Sequence, residues 1–354
     1  MRRLAVTFRV LGTAFFLSIL IFKLAIPPAG AVSPGGPGLP GGVVVADAAA
    51  ATRAEDSLPE GRLGLRPHRR DTVRVSDDEG TSVAFARPPR RIVSLLPAAT
   101  EILFEIGAGG DLVGRTRFDV HPPEASAVPS VGDGVRPSVE LVVARQPDLV
   151  ILFAGPDSRA ASDALRRIGV QVLAVHHNTL ADLHLNIERL GRITGRDSAA
   201  ARLSRRIRDD LSRIRRITRE LPERSVYYDA WWHPPITIGG GSYLDSLMTL
   251  AGGRNVFGDL ASPSPQVSLE AIAARDPEII LYPVHRGAER TPIADRPGWE
   301  VLRAVREGRI SVFDGEVVVR LGPRIADGVR KLARAIHADA FSTPASPSPG
   351  GERP

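Results

Sequence analysis

SVELVVARQPDLVILF at 138–153 and SLEAIAARDPEIILYP at 268–283 say nearly the same thing. Each opens Ser-x-Glu, runs through a short helix-like segment to Ala-Arg, passes x-Pro-acid and ends in an apolar strand. The serine suits a helix N-cap, and the glutamate then falls in the first turn, where the helix dipole favours it. Proline ends the helix, and the apolar run that follows reads as a buried strand. A helix–strand unit stated once in each half of the chain predicts two α/β lobes of like build. The two glutamates, Glu140 and Glu270, take matching places in them.

Upstream of the first copy, TVRVSDDEGTSVAFA alternates around a DDEG turn and predicts a hairpin. RRIVSLLPAATEILFEIGAG reads as strand, turn and helix, with Thr100 or a neighbour capping and Gly107 closing. DLVGRTRF is a further strand, and DALRRIGVQVLAV a helix, a glycine break and a strand. Strands separated by helices imply mainly parallel sheets flanked by helices. The middle is different. From Leu180 to about Leu221 a helical pattern persists with no turn chemistry except TGRD. Leu203, Ile207, Leu211, Ile214 and Ile217 form one apolar stripe along it. Arg202, Arg205, Arg206, Arg208, Arg213, Arg215 and Arg216 fill much of the remaining surface and read as a solvated face. After Pro222 the α/β pattern restarts with SVYYDAWW, GSYLDSLMTLAGG and the second copy.

The expected organisation is an N-terminal α/β lobe at 71–180, a backbone helix at 181–221 that joins the lobes, and a C-terminal α/β lobe at 222–340. Residues 1–31 read as a signal peptide, with a basic start, an apolar run Leu11–Phe22 and a small-x-small site at Ala29-Gly30-Ala31. An uncleaved membrane anchor from about Leu4 to Ile26 is the alternative, and it would have to accommodate Arg9 and Lys23. The expected location is therefore the periplasm or its equivalent. Residues 32–70 and 341–354 are rich in Gly, Pro, Ala and Ser and are expected to be a disordered linker and tail.

Composition narrows the function. The chain has 354 residues, 43% hydrophobic and 24% charged, as expected of a globular protein large enough for two cores. Its net charge is +6, but the arginines are scattered, aromatics are 5%, and no nucleic-acid-binding motif is present. Nucleic acid is not expected as a partner. Without cysteine there are no disulfides, thiolate metal sites or lipid-modified cysteines. No Gly-x-Ser-x-Gly elbow, phosphate loop or His-Glu-x-x-His motif points to an enzyme.

RIVSLLPAATEILFEIGAG, PSVELVVARQPDLVI, AGGRNVF, PQVSLEAIAARDPEIIL and RLGPRI stand in an order that resembles the periplasmic solute-binding proteins for cobalamin, ferric siderophores and haem. The likeness runs from about Arg91 to Ala340. HPPITIGGGSYLDSLMTLAGG is most similar to the cobalamin-binding branch. The resemblance implies a monomer that delivers a small-molecule metal chelate to an inner-membrane ABC permease with its ATPase, with no cofactor of its own. It implies that Glu140 and Glu270 dock the permease, one on each lobe.

The resemblance also places the ligand between the lobes, at the carboxyl ends of the strands. The implied ligand-binding residues are Arg117, Phe118, Trp231, Trp232, His233, Gln266, His285 and Arg320. Pro97–Thr100, Gly134, Ala154–Pro156, His176-His177 and Ser264 belong to the same set of loops. Gly134 and Ser264 fall where the cobalamin-binding branch holds tryptophans, and Trp231-Trp232 is the compensating aromatic surface here. Arg115, Arg117, Arg286 and Arg320 suit the anionic groups of haem or a siderophore. A free-metal carrier for zinc or manganese is the alternative. It would draw on Asp229 with His121, His177 and His233.

Overall fold

The computed structural model describes residues 72–285 and 290–341. The expected signal segment and linker fall outside them, as do Arg286 and the expected tail from residue 342. The hairpin forms as β1 (Val73–Ser76) and β2 (Ser82–Phe85), antiparallel with Val73 opposite Phe85. The first lobe follows as β3 (Ile92–Ser94), α1 (Pro97–Glu105), β4 (Leu112–Gly114), α2 (Val139–Val143), β5 (Leu149–Phe153), α3 (Pro156–Arg167) and β6 (Gln171–Val175). Then come α4 (Leu180–Thr194) and α5 (Asp197–Thr218). The second lobe holds β7 (Arg224–Tyr228), the short β8 (Trp231–Trp232) and β9 (Pro235–Ile236), α6 (Tyr243–Leu250), β10 (Gly253–Asn255), α7 (Leu269–Arg275), β11 (Ile279–Val284), α8 (Arg303–Arg306), β12 (Ile310–Asp314) and α9 (Ile325–Ile336). No helix among the described residues is long and apolar enough to cross a membrane.

Each lobe is built on a parallel four-stranded sheet, in the order β4-β3-β5-β6 and β10-β7-β11-β12. The two orders are one topology. In each lobe the edge strand beside the first long strand pairs on one side, and the third and fourth follow on the other. The repeated sequence is the helix and strand on either side of a shared turn. Ser138 and Ser268 cap α2 and α7, accepting from Leu141 N at 3.3 Å and Ala271 N at 3.2 Å. Gln146 and Asp276, each just before the proline, are the two non-glycine residues with left-handed backbone among those described, at φ 47° and 39°. The proline disfavours a helical predecessor, and the left-handed residue before it ends the helix and turns the chain toward the strand. The acid after the proline ties down the neighbouring strand. Asp148 accepts from Arg90 N and Arg91 N at 2.9 and 3.0 Å, and Glu278 accepts from Ser225 N at 2.8 Å. The echo thus encodes a turn and a sheet register as well as a helix.

The helical middle differs from the expected single helix. Gly195, at φ 67°, ends α4, and the chain turns back into α5. TGRD was the one turn signal in the run, and it acts as one. The two helices pack so closely that a Cβ on Gly191 would run into Ala200. The backbone helix is therefore α5, about 33 Å long at 1.5 Å per residue, and it packs against α4, α6 and α9. Its buried stripe is Leu203, Ile207, Leu211, Ile214 and Thr218. Ile217, expected in the stripe, is 49% exposed. A step of four from Ile214 brings Thr218 inward instead, where its hydroxyl donates to Leu250 O at 2.8 Å. Each sheet has its own outer core, on Val93, Leu152 and Val172 in the first lobe and on Tyr227, Ile280 and Trp299 in the second. The inner faces share one core, which runs from Ile92 and Ile151 through Ile187, Leu203 and Ile207 to Val226 and Val329.

The DDEG turn is more than a turn. Arg166 donates to Asp77 at 2.6 Å and Glu79 at 2.7 Å, and Arg189 grips Asp78 at 2.7 and 2.9 Å. Burial pulls the Asp78 carboxyl upward, but Arg189 and the His176 amide outweigh it, so it titrates below its ordinary 3.8. A carboxylate held down only in the folded state contributes stability above its unfolded value and loses it as the pH falls through the folded one. Asp78→Asn is expected to cost about 1–3 kcal/mol at neutral pH, read by urea unfolding. That gap closes as the pH drops below 3.8. A gap that persists unchanged in acid refutes the pairing.

Candidate functional site

The loops at the carboxyl ends of the strands carry the expected site. In the second lobe β7 delivers Asp229, which is fully buried. Arg296 donates to both its carboxylate oxygens at 3.0 and 2.8 Å, and Arg290 reaches it at 2.5 Å. A buried carboxylate flanked by two guanidinium groups is committed to them, because losing either partner strands a charge without water. Asp229 is therefore no metal ligand, and among the described residues no group of three His, Cys, Asp or Glu could hold a metal ion. The Arg296 guanidinium also lies 4.6 Å from the Trp299 ring centroid, 5.4 Å from Tyr282 and 5.5 Å from Trp232. Trp232 is thus seated on a buried cation.

Successive strand residues face opposite ways, so Trp231 faces away from that box. In the register Trp231 pairs with Ile236, and Ile236 bridges to Gln266. Trp231, Ile236 and Gln266 therefore line one face. Trp231 Nε1 donates to His233 O at 2.9 Å, and the His233 ring, exposed, sits 5.2 Å from that of Trp232. The triple glycine Gly239–Gly241 supports this sheet extension. A Cβ on any of the three would strike a carbonyl oxygen of Ser262, Gly258 or Ala261.

A second group gathers at the ends of β11 and β12. Arg320 Nη2 lies 3.4 Å from Glu316 Oε2. Burial holds the His285 imidazole below its ordinary value, with Glu316 and Asp314 acting upward and Arg290 and Arg320 downward. Arg320 also lies 3.9 Å from Glu101 of α1 in the first lobe. Arg324 donates to the same carboxylate twice, at 3.0 and 2.7 Å.

In the first lobe Arg117 pairs with Asp133 at 3.1 Å and covers the Phe118 ring at 4.7 Å. The Phe118 amide donates to Thr116 Oγ1 at 3.1 Å. Thr100 caps no helix. Its hydroxyl and that of Thr116 both donate to buried Asp119 at 2.5 Å, tying the loop after β4 to α1. Burial pushes the Asp119 carboxyl upward against these bonds. Arg115 is spent on the carbonyls of Ala125 and Thr116 at 2.7 and 2.8 Å. A side chain on Gly134 would collide with the Leu95 carbonyl, so no tryptophan fits there on this backbone. His176 is used through its amide, which donates to Asp78 at 2.5 Å. His177 lies among Leu96, Ile151 and Leu190, where burial lowers its pKa to about 4.

Glu140 and Glu270 are both fully exposed on α2 and α7. The Ser138 hydroxyl donates to Glu140 at 2.8 Å and holds its carboxyl below the usual range. The backbone amide of Glu270 and then Ser268 do the same for Glu270. The structure thus joins Trp231, Trp232, His233 and Gln266 on one sheet extension, His285 with Arg320 beside it, and Arg117 with Phe118 on the other lobe. The sequence reading missed Arg290, Arg296, Glu101 and Arg324. Arg324 lies inside the RLGPRI motif, but an isolated arginine in a loop, like Arg296, carries no periodic signal.

A family model described as "Periplasmic binding protein" matches residues 92–317. An uncharacterized ABC transporter substrate-binding lipoprotein, YvrC of Bacillus subtilis (strain 168), is 30% identical over 277 residues, covering 76% of this chain and 87% of its own. The crystal structure of the periplasmic vitamin B12 binding protein BtuF of Vibrio cholerae superposes with a TM-score of 0.62 at 25% identity, covering 72% of this chain and 99% of that one. A periplasmic heme binding protein from Pseudomonas aeruginosa does so with a TM-score of 0.62 at 27% identity, covering 73% and 95%.

Proposed function

This chain belongs to the periplasmic binding protein family, and from that premise we propose that it captures a corrinoid of the cobalamin type between its lobes. It is an extracytoplasmic substrate-binding component of an ABC transporter, and its family binds rather than turns over. We further propose that residues 1–31 direct export, with the described lobes held outside the inner membrane. Delivery to a permease through Glu140 and Glu270 completes the reading.

One observation carries the choice among chelates. The described arginines offered to an anion are already committed: Arg115 to carbonyls, Arg117 to Asp133, Arg320 to Glu316 and Glu101. Haem propionates or a ferric tricatecholate need free cations. A corrinoid, close to neutral overall, needs apolar planes and scattered hydrogen-bond donors, which Phe118, Trp231, His233 and Gln266 supply. The test is tryptophan fluorescence of the purified protein titrated with cyanocobalamin, hemin and a ferric tricatecholate. Cyanocobalamin is expected to quench at micromolar concentration or below and to bind tightest. Trp231→Ala is expected to weaken it about tenfold, near 1.4 kcal/mol. Tighter binding of either anionic chelate overturns the ligand assignment. Binding of none of the three overturns the ligand class.

A further inference from the structure

The one carboxylate that crosses between the lobes at this site is Glu101, among the described residues. It is 2% exposed and stands in α1, just after Pro97–Thr100, which were expected to be a loop and instead form the first turn of that helix. From the second lobe it receives two hydrogen bonds from Arg324, with Arg320 at 3.9 Å. The approach is close: a Cβ on Gly322 would lie 3.3 Å from Glu101 Oε2 and 3.8 Å from Ala98. Two arginines in and at the end of the segment after the carboxyl end of β12, where the expected ligand loops lie, are thus turned toward one buried anion. Their own side chains are 26% and 16% exposed, so solvent reaches them on the other side. Glu316 holds Arg320 from its second flank.

We propose that Glu101 is the specificity-setting residue of the cleft: by neutralising Arg320 and Arg324 from across the lobes, it makes the floor unattractive to anionic chelates. Glu101 is a positioning residue and touches no ligand itself. Its position between two cations fixes which charge the cargo meets, because a freed guanidinium in a partly desolvated site attracts an anion far more strongly than in water. The proposal rests on the corrinoid reading above.

Glu101→Gln keeps the shape and removes the charge. The expected result is a rise of about tenfold in hemin affinity relative to cyanocobalamin, steepest at low salt. Adding Arg320→Gln to that variant is expected to take the gain away. A purely structural Glu101 would weaken both ligands alike and leave their ratio and its salt dependence unmoved, and that outcome overturns the proposal. Should Glu101→Gln fail to fold by circular dichroism, Glu316→Gln decides. It loosens Arg320 from its other side, and a threefold or so gain for hemin over cyanocobalamin is expected. An unchanged ratio there overturns the proposal. Wild-type protein that binds cyanocobalamin while the variants keep its ratio sinks only the role of Glu101. Wild-type protein that ignores cyanocobalamin sinks the corrinoid reading instead.

Discussion

Glu140→Lys together with Glu270→Lys is expected to abolish delivery through the transporter, a loss on the order of a hundredfold or more. The ligand affinity of the purified protein is expected to stay within about twofold. The reason is placement. Each carboxylate is fully exposed at the start of a short helix, held by the serine two residues before it, and neither contributes to a core. Their matching topological positions would give a two-point contact on an otherwise basic molecule. Complementary charge sets register and on-rate, and a like charge in its place repels. Each single reversal is expected to give an intermediate defect. Uptake by cells carrying the double variant, set beside calorimetric titration of the same protein, is the check. Normal transport by the double variant refutes the docking role.

The second large effect concerns stability. Asp229→Asn leaves Arg290 and Arg296 buried without their counter-charge. Removing one partner of a buried ion pair costs about 3–5 kcal/mol. The Asp229 and Arg296 side chains have no exposure at all, so solvent offers no compensation. Loss of the pair also releases the cation beneath Trp232 and the ring above it. Urea unfolding is expected to show an unfolding free energy lowered by that amount, together with altered tryptophan emission before unfolding begins. A stability within about 0.5 kcal/mol of wild type, the scale of a typical surface change, would sink the argument.

Much of this architecture is legible in residue order. The Ser-x-Glu, x-Pro-acid repeat predicts two like lobes, and the left-handed turns at Gln146 and Asp276 give that repeat its physical content. The stripe on α5 is visible as far as Ile214 and then fails, because helical phase admits both Ile217 and Thr218 and only packing on α6 chooses. The α4–α5 turn was marked by TGRD, yet the apolar period alone runs straight through it. The candidate site was legible in its aromatic and histidine members. Its charge state was not. Whether Arg324 is free or neutralised depends on Glu101, more than two hundred residues away in sequence. No spacing rule connects them. The same holds for Asp229 with Arg296.

The shared core has a mechanical meaning. Ile92, Leu203 and Val226 belong to one unbroken apolar body. Swinging the lobes apart would split that close-packed interior, which resists graded deformation. The separation between Glu140 and Glu270 is therefore expected to be the same whether the protein is full or empty. On the proposed docking, a transporter that grips both points would learn only that the right carrier has arrived. To tell a loaded carrier from a vacant one, it has to probe the mouth between them.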